Sequence, residues 1–362
     1  MQHKINLLDF SEQGLREWLA QIDQPAFRAP QLIHWLHQQF EDNFDKMLNL
    51  PKAFRGWLTE NTCIHQLPIQ HEHISQDGTI KWLLTVDETN AVEMVYIPEL
   101  TRGTLCVSSQ VGCALDCSFC STGKQGFNRN LSCGEIIGQL RLANIRLKQL
   151  YPNRIKPITN VVMMGMGEPL TNEKPVTTAL KLMIDDNAYG LAYRRVTVST
   201  SGVVPAMLRL KENMPQIALA VSLHAPNNAL RNELVPINLK YPLEKLMAVC
   251  AEYYAGQTKR QITYEYVMLK GVNDTIEHAK ELAKLLKKAP GKINLIPFNP
   301  FKNSQYQTSD RHQILAFQQY LRDEYVTTIR TTRGDDISAA CGQLVGDVND
   351  RTRRIKIFQD YK

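Results

Sequence analysis

From Arg102 onward the chain alternates short apolar, β-branched runs with helical stretches, and this alternation restricts the fold more than any other feature. Such a pattern requires β/α units around a parallel sheet, because parallel neighbours need a crossover connection and a helix usually supplies it. Six units can be read. The runs at 103–108, 159–164, 195–199, 217–223, 262–268 and 292–297 read as strands, and 133–150, 173–186, 203–213, 243–255, 276–288 and 309–322 as helices. A further strand at 325–331 leads into Arg333-Gly334-Asp335-Asp336. Six units predict an α/β fold in the form of an incomplete barrel rather than a closed eightfold one.

In β/α barrels the loops at the strand C-termini share one open face, so function is sought there. The first strand leads into Cys113-Ala-Leu-Asp-Cys117-Ser-Phe-Cys120, which places three of the eight cysteines in one short loop. Three thiolates are one short of a closed tetrahedral site. The spacing therefore favours a [4Fe-4S] cluster with one iron left open for an exchangeable ligand. A zinc site completed by a distant His or Cys, or plain buried thiols, remain alternative readings. The other strand ends carry Gly165-Met166-Gly167-Glu168-Pro169, Ser199-Thr200-Ser201-Gly202, Ser222-Leu223-His224, Asn273-Asp274 and Asn299-Pro300. Each is an ordinary turn or cap taken alone, but their convergence on one face makes a ligand site. Leu170 stands where a dinucleotide fingerprint needs glycine, which excludes a Rossmann site. Gly167 can instead admit close backbone approach of a ligand while Glu168 accepts hydrogen bonds from a cationic amine.

The N-terminal 65 residues read as a helical module. Ser11 is an N-cap for a helix to about residue 22, Pro30 suits the first position of a second carrying Trp35 and Phe40, and Pro51 opens a third. Residues 66–101 alternate as strands, with Asp77-Gly78 turning a hairpin. Glu93 lies on the strand face of Val95 and Ile97, where a carboxylate implies burial or a pocket unless the strand is a half-exposed edge. Residues 102–323 then form the barrel, and 324–362 a strand, a cysteine loop and a basic tail. Cys106 alternates with Leu105 and Val107 and is expected to face the barrel interior. The formal charge of +6 over 362 residues favours a polyanionic partner only weakly. Clusters at Lys124 and Arg129, at Arg194 and Arg195, and at Arg351, Arg353, Arg354 and Lys356 form a phosphate-contacting candidate set. The cysteine usage, without a leader or a membrane-length apolar run, predicts a cytoplasmic protein in a reducing compartment.

Several segments together resemble the RlmN/Cfr family of radical S-adenosylmethionine (SAM) RNA methyltransferases. They are Val92-Glu93-Met94-Val95-Tyr96-Ile97-Pro98, the run from Cys106 through Cys120, Gly126-Phe127-Asn128-Arg129-Asn130-Leu131, Gly165 through Leu170, Ser222 through Pro226, Asn299-Pro300-Phe301, and Arg333 through Leu344 with Cys341. The resemblance implies that Cys113, Cys117 and Cys120 hold the cluster, with SAM on the open iron. It assigns SAM contacts to Gly167, Glu168, Ser199, Ser222, Leu223, His224 and Asn299. It further implies that one SAM methylates Cys341 by displacement and a second yields a 5′-deoxyadenosyl radical that activates that S-methyl group. The methylene then adds to carbon 2 of adenosine, Glu93 accepts the proton, and Cys106 releases the product through a transient Cys106–Cys341 disulfide.

The substrates implied are 23S rRNA at the peptidyl transferase centre and tRNA at the adenosine 3′ of the anticodon. The partners implied are an electron donor such as a flavodoxin/reductase system and no membrane, with the chain acting as a monomer. Methylation at carbon 8, as in Cfr, and radical SAM chemistry on a small molecule are the rival readings. A zinc-stabilised or electron-transfer RNA-binding module without catalysis is a third.

Overall fold

The computed structural model describes residues 4–257 and 259–352. Its centre is a ten-stranded sheet. Seven parallel strands, Gly103–Cys106, Asn160–Met163, Val196–Thr200, Ala218–Ser222, Thr263–Met268, Lys292–Pro297 and Thr327–Ile329, follow one another in sequence order. Helices Cys133–Leu150, Glu173–Ile184, Val204–Asn213, Leu243–Tyr253, Ile276–Leu286 and Arg311–Arg322 make the crossovers. The expected partial barrel is therefore present, and its elements end within a few residues of the sequence-based bounds.

Strand Ala91–Pro98 pairs antiparallel with the first barrel strand, and Ile80–Thr85 and Ile69–Ile74 extend the same sheet beyond it. Glu93 is thus on an interior strand, not on an edge, and is 5% exposed. Val95 sits opposite Cys106, so the inward face of Ala91–Pro98 continues that of the barrel. Among features not read from the sequence are a two-stranded hairpin, Gln110–Gly112 with Phe127–Asn130, that frames the cysteine loop, and a short helix, Asn228–Leu234.

The N-terminal helices Glu12–Gln21, Arg28–His37 and Lys52–Asn61 share one apolar core with the barrel. Trp18 and Phe54 pack inside it against Trp57 rather than presenting a stacking surface. Ser11 caps the first helix through Gly14 N–H. The second begins at Arg28, two residues before Pro30, which occupies the third helical position; proline is tolerated there because first-turn N–H groups have no intrahelical acceptor. Phe40 lies past that helix with φ 54°. Helix Cys133–Leu150 starts with a capping box between Ser132 and Glu135. It docks the module by three bonds: Gly134 N–H donates to Asp9 Oδ1 at 2.6 Å, Arg141 Nε donates to Leu36 O at 3.1 Å, and Arg141 Nη2 donates to Phe40 O.

Candidate active site

The strand C-termini surround two adjoining cavities. One is lined by Cys106, Cys120, Asn299, Arg330 and Cys341, and the other by Gly167, Glu168, Ser199, Ser222, His224 and Glu265. Cys120, Asn299, Arg330 and Cys341 border both, so the cavities form one reaction space. Two buried braces hold its loops. Arg231 is fully buried and donates to the carbonyls of Ser201, Ser222 and Leu223, while Asn273 ties His224 O to Val267 O. Asn273 and Asp274, expected at the ligand face, are thereby spent on the scaffold; Asp274 Oδ1 accepts from Gly271 N–H.

In the cysteine loop Cys113 N–H donates to Gly126 O at 2.8 Å and Cys120 N–H to Cys117 O at 3.1 Å. Burial pushes Cys117 up to about 12, with the charges of Cys120 and Glu168 acting the same way. Cys113 rises through burial and then its two loop partners, and Cys120 rises chiefly through burial. Among the described residues no three His, Cys, Asp or Glu side chains are already gathered in a metal-ligating arrangement. The donor set nonetheless fits a cationic cluster: three buried sulfurs that repel one another as thiolates become stable when a shared positive centre neutralises them.

Gly167 has φ +100°, and a Cβ there would lie 2.5 Å from Gln110 Cβ. Glu168 is 2% exposed, and its carboxylate oxygens accept Leu170 N–H at 3.1 Å and Ser201 N–H at 2.7 Å. Burial raises its pKa while those two N–H groups oppose the shift. Ser199 and Ser222 face each other, Oγ to Oγ 3.5 Å. His224 has φ +60°, accepts Val267 N–H on Nδ1 at 3.0 Å and is pushed down to about 3 by burial and then by Arg231. It is therefore a neutral imidazole carrying its proton on Nε2. Leu223 is fully buried and lines neither cavity; its N–H donates to Glu265 O.

Cys341 sits in a turn fixed to the barrel. Asn299 Nδ2 donates to Cys341 O at 3.1 Å, and Ser121 N–H donates to Gly342 O at 2.8 Å. Burial and then the charge of Cys341 raise Cys106 to about 12, as expected for two thiols sharing one pocket. Glu93 does not line that pocket. Its Oε1 pairs with Lys81 Nζ at 2.9 Å and its Oε2 accepts Val345 N–H at 2.8 Å, so it lies directly behind the Cys341 turn. Burial raises its pKa against the pull of Lys81.

Two charged wall residues were not anticipated, Glu265 and Arg330. Glu265 alternates with Thr263 and Val267 on a barrel strand, and an acidic residue between Tyr264 and Tyr266 is the signal that marks it. Arg330 directly follows the last strand. The basic candidates are only partly available. Arg129 is ion-paired with Asp87 and Glu135, and Lys124 with Asp116. Arg194 and Arg195 lie in a short turn before a strand, and Arg353, Arg354 and Lys356 fall outside the described residues.

Residues 5–64 match the ribosomal RNA large subunit methyltransferase N-terminal domain, and residues 107–286 match the radical SAM superfamily. A crystal structure of a radical SAM methyltransferase from Sphaerobacter thermophilus is 41% identical, with TM-score 0.86, over 94% of this chain and 99% of that one. The chain is a radical SAM methyltransferase of the RlmN/Cfr family. Membership in the superfamily implies a [4Fe-4S] cluster and SAM for this methyltransferase. Streptococcus suis SuiB bound to precursor peptide SuiA, at 12% identity and TM-score 0.44 over 63% of this chain and 49% of that one, is too distant to bear on the reaction. The same holds for spore photoproduct lyase bound to a dinucleoside spore photoproduct, at 13% and 0.44 over 62% and 75%. Among the described residues, no helix of the methyltransferase is long and apolar enough to cross a membrane.

Proposed function

We propose that this methyltransferase places a methyl group on carbon 2 of adenosine in 23S rRNA and in tRNA, using Cys341 as the methyl carrier. The observation that carries this reading is the shared pocket of Cys106 and Cys341, bordered by Cys120 of the cysteine loop. Carbon 2 lies between two ring nitrogens and is too electron-poor to attack the methyl group of SAM, so a carbon radical must be delivered to it. Cys113, Cys117 and Cys120 would hold the cluster, which supplies the electron for reductive SAM cleavage. Gly167 gives SAM close backbone access, and Glu168, Ser199, Ser222, His224 and Asn299 line the space for it. Cys341 would accept the first methyl group, and Cys106, which lines the same cavity, would bond the Cys341 sulfur as that sulfur parts from the transferred methylene. Glu93, with its pKa raised by burial, is the candidate proton acceptor, and the turn over it must shift for it to reach the base. The target adenosine must be unstacked to enter. The RNA substrate is supported by the match at residues 5–64. A flavodoxin-type donor is the expected source of electrons.

The test is anaerobic reconstitution with methyl-labelled SAM and protein-free 23S rRNA or tRNA, followed by mass spectrometry of nucleosides and of the Cys341 peptide. Label on Cys341 together with 2-methyladenosine is expected, and both should vanish in Cys341→Ala. Finding 8-methyladenosine instead would move the target to carbon 8. An intact cluster with no labelled nucleoside would end the RNA reading.

A further inference from the structure

Arg330 has no role in the chemistry described so far. Arg330 borders both active-site cavities, and one of them is also lined by Cys106 and Cys341. Among the described residues its side chain makes no hydrogen bond or ion pair; only its backbone N–H is committed, to Leu295 O. Glu265, which lines one of these cavities with it, is held by Asn294 Nδ2 at 2.9 Å instead. The other polar groups of the Cys106–Cys341 pocket are largely spent. Asn299 is bound on both sides, by Cys341 O and Thr332 Oγ1, Thr122 donates to Leu344 O, and Arg333 pairs with Asp77. A half-buried guanidinium with open donors needs an acceptor from the substrate.

We infer that Arg330 donates a hydrogen bond to a ring nitrogen flanking carbon 2 of the target adenine. This assignment rests on the proposed function above. For the Cys341 methylene to bond carbon 2 and the Cys341 sulfur later to part from that methylene and bond Cys106, the purine edge must enter the cavity lined by both thiols, and Arg330 lines that same cavity. When the methylene carbon bonds carbon 2, the unpaired electron passes into the purine ring and no group leaves. Electron density then rises on the flanking nitrogens. A fixed cation there stabilises the adduct more than the free base, which is the condition for accelerating the step.

The experiment crosses a protein change with a substrate change. Holoenzyme already S-methylated at Cys341, as wild type, Arg330→Met and Arg330→Lys, is mixed with RNA stem-loops bearing adenosine, 1-deazaadenosine or 3-deazaadenosine at the target. Single-turnover transfer and equilibrium binding are both measured. In wild type, loss of the contacted nitrogen should slow transfer about tenfold or more beyond its effect in Arg330→Met, because the intrinsic change in ring reactivity is common to both. Arg330→Lys should recover part of the difference. Should Arg330→Met transfer too slowly to follow, the same non-additivity must appear in binding. Equal deaza effects in wild type and Arg330→Met would overturn the assignment. So would Arg330→Met weakening all RNAs alike with a salt slope smaller by about one, which would make Arg330 a phosphate contact. Failure of wild type to methylate any adenosine marks failure of the underlying function and removes this assignment with it.

Discussion

Lys81 and Glu93 form a buried ion pair across two antiparallel strands, Nζ to Oε1 2.9 Å. They are diagonal neighbours, since Lys81 faces Val95 and Glu93 faces Leu83 in the register. Lys81 also donates to Ser338 O at 3.2 Å, and Glu93 accepts from Val345 N–H, so the pair bridges both ends of the segment that carries Cys341.

Removing one partner should therefore cost far more than removing both. Lys81→Met leaves a buried carboxylate unpaired and is expected to lower unfolding stability by about 3 kcal/mol, whereas Lys81→Met with Glu93→Leu should cost clearly less. Denaturant titration of the three proteins measures it. A single variant within 1 kcal/mol of wild type, on the order of a surface pair, would mean that the pair is effectively solvated.

Gly167→Ala is expected to destabilise the protein by about 2 kcal/mol and to abolish SAM binding. The added Cβ meets Gln110 at 2.5 Å, and φ +100° is a conformation that alanine avoids. Calorimetry with SAM reads the binding, and thermal unfolding reads the strain. Normal SAM affinity in this variant would show that the turn does not approach the ligand.

Replacing any one of Cys113, Cys117 and Cys120 with alanine should lower iron and sulfide content after anaerobic reconstitution at least severalfold, whereas Cys63→Ala should not. Cys63 lies on a short strand of the helical module and lines neither active-site cavity. Colorimetric iron and sulfide assays decide between them. Full iron loading of Cys117→Ala would exclude a cluster held by these three thiols.

Two histidines predict an acid-side loss of stability. His37 and His224 are each held down to about 3, mainly by burial, and secondarily by Arg141 and Arg231 respectively. Below the ordinary value near 6.5 the unfolded chain binds protons that the folded one refuses, so stability falls as pH drops from 6.5 toward 3. Each histidine contributes up to about 1.4 kcal/mol per pH unit. His37→Gln, at a residue that lines neither active-site cavity, should flatten the slope between pH 6.5 and 5 in denaturant midpoints. An unchanged slope would show that His37 titrates normally.

Much of this protein is determined locally. Capping at Ser11 and Ser132, turn formation at Asp77-Gly78 and the alternation of strand and helix depend on neighbours within a few residues, so the element order and the partial barrel were legible in the sequence. So was the list of strand-end residues, because a β/α barrel must bring those ends to one face. The tertiary structure alone decided which of those residues reach the cavities. Asn273 and Arg231 became braces because buried carbonyls at neighbouring strand ends needed donors, and Arg129 was claimed by Asp87 and Glu135 from distant or flanking segments. Glu93 lies behind the Cys341 turn and Arg330 borders the thiol pocket because sheet register and chain closure set which side chains meet across more than a hundred residues. No local spacing encodes that.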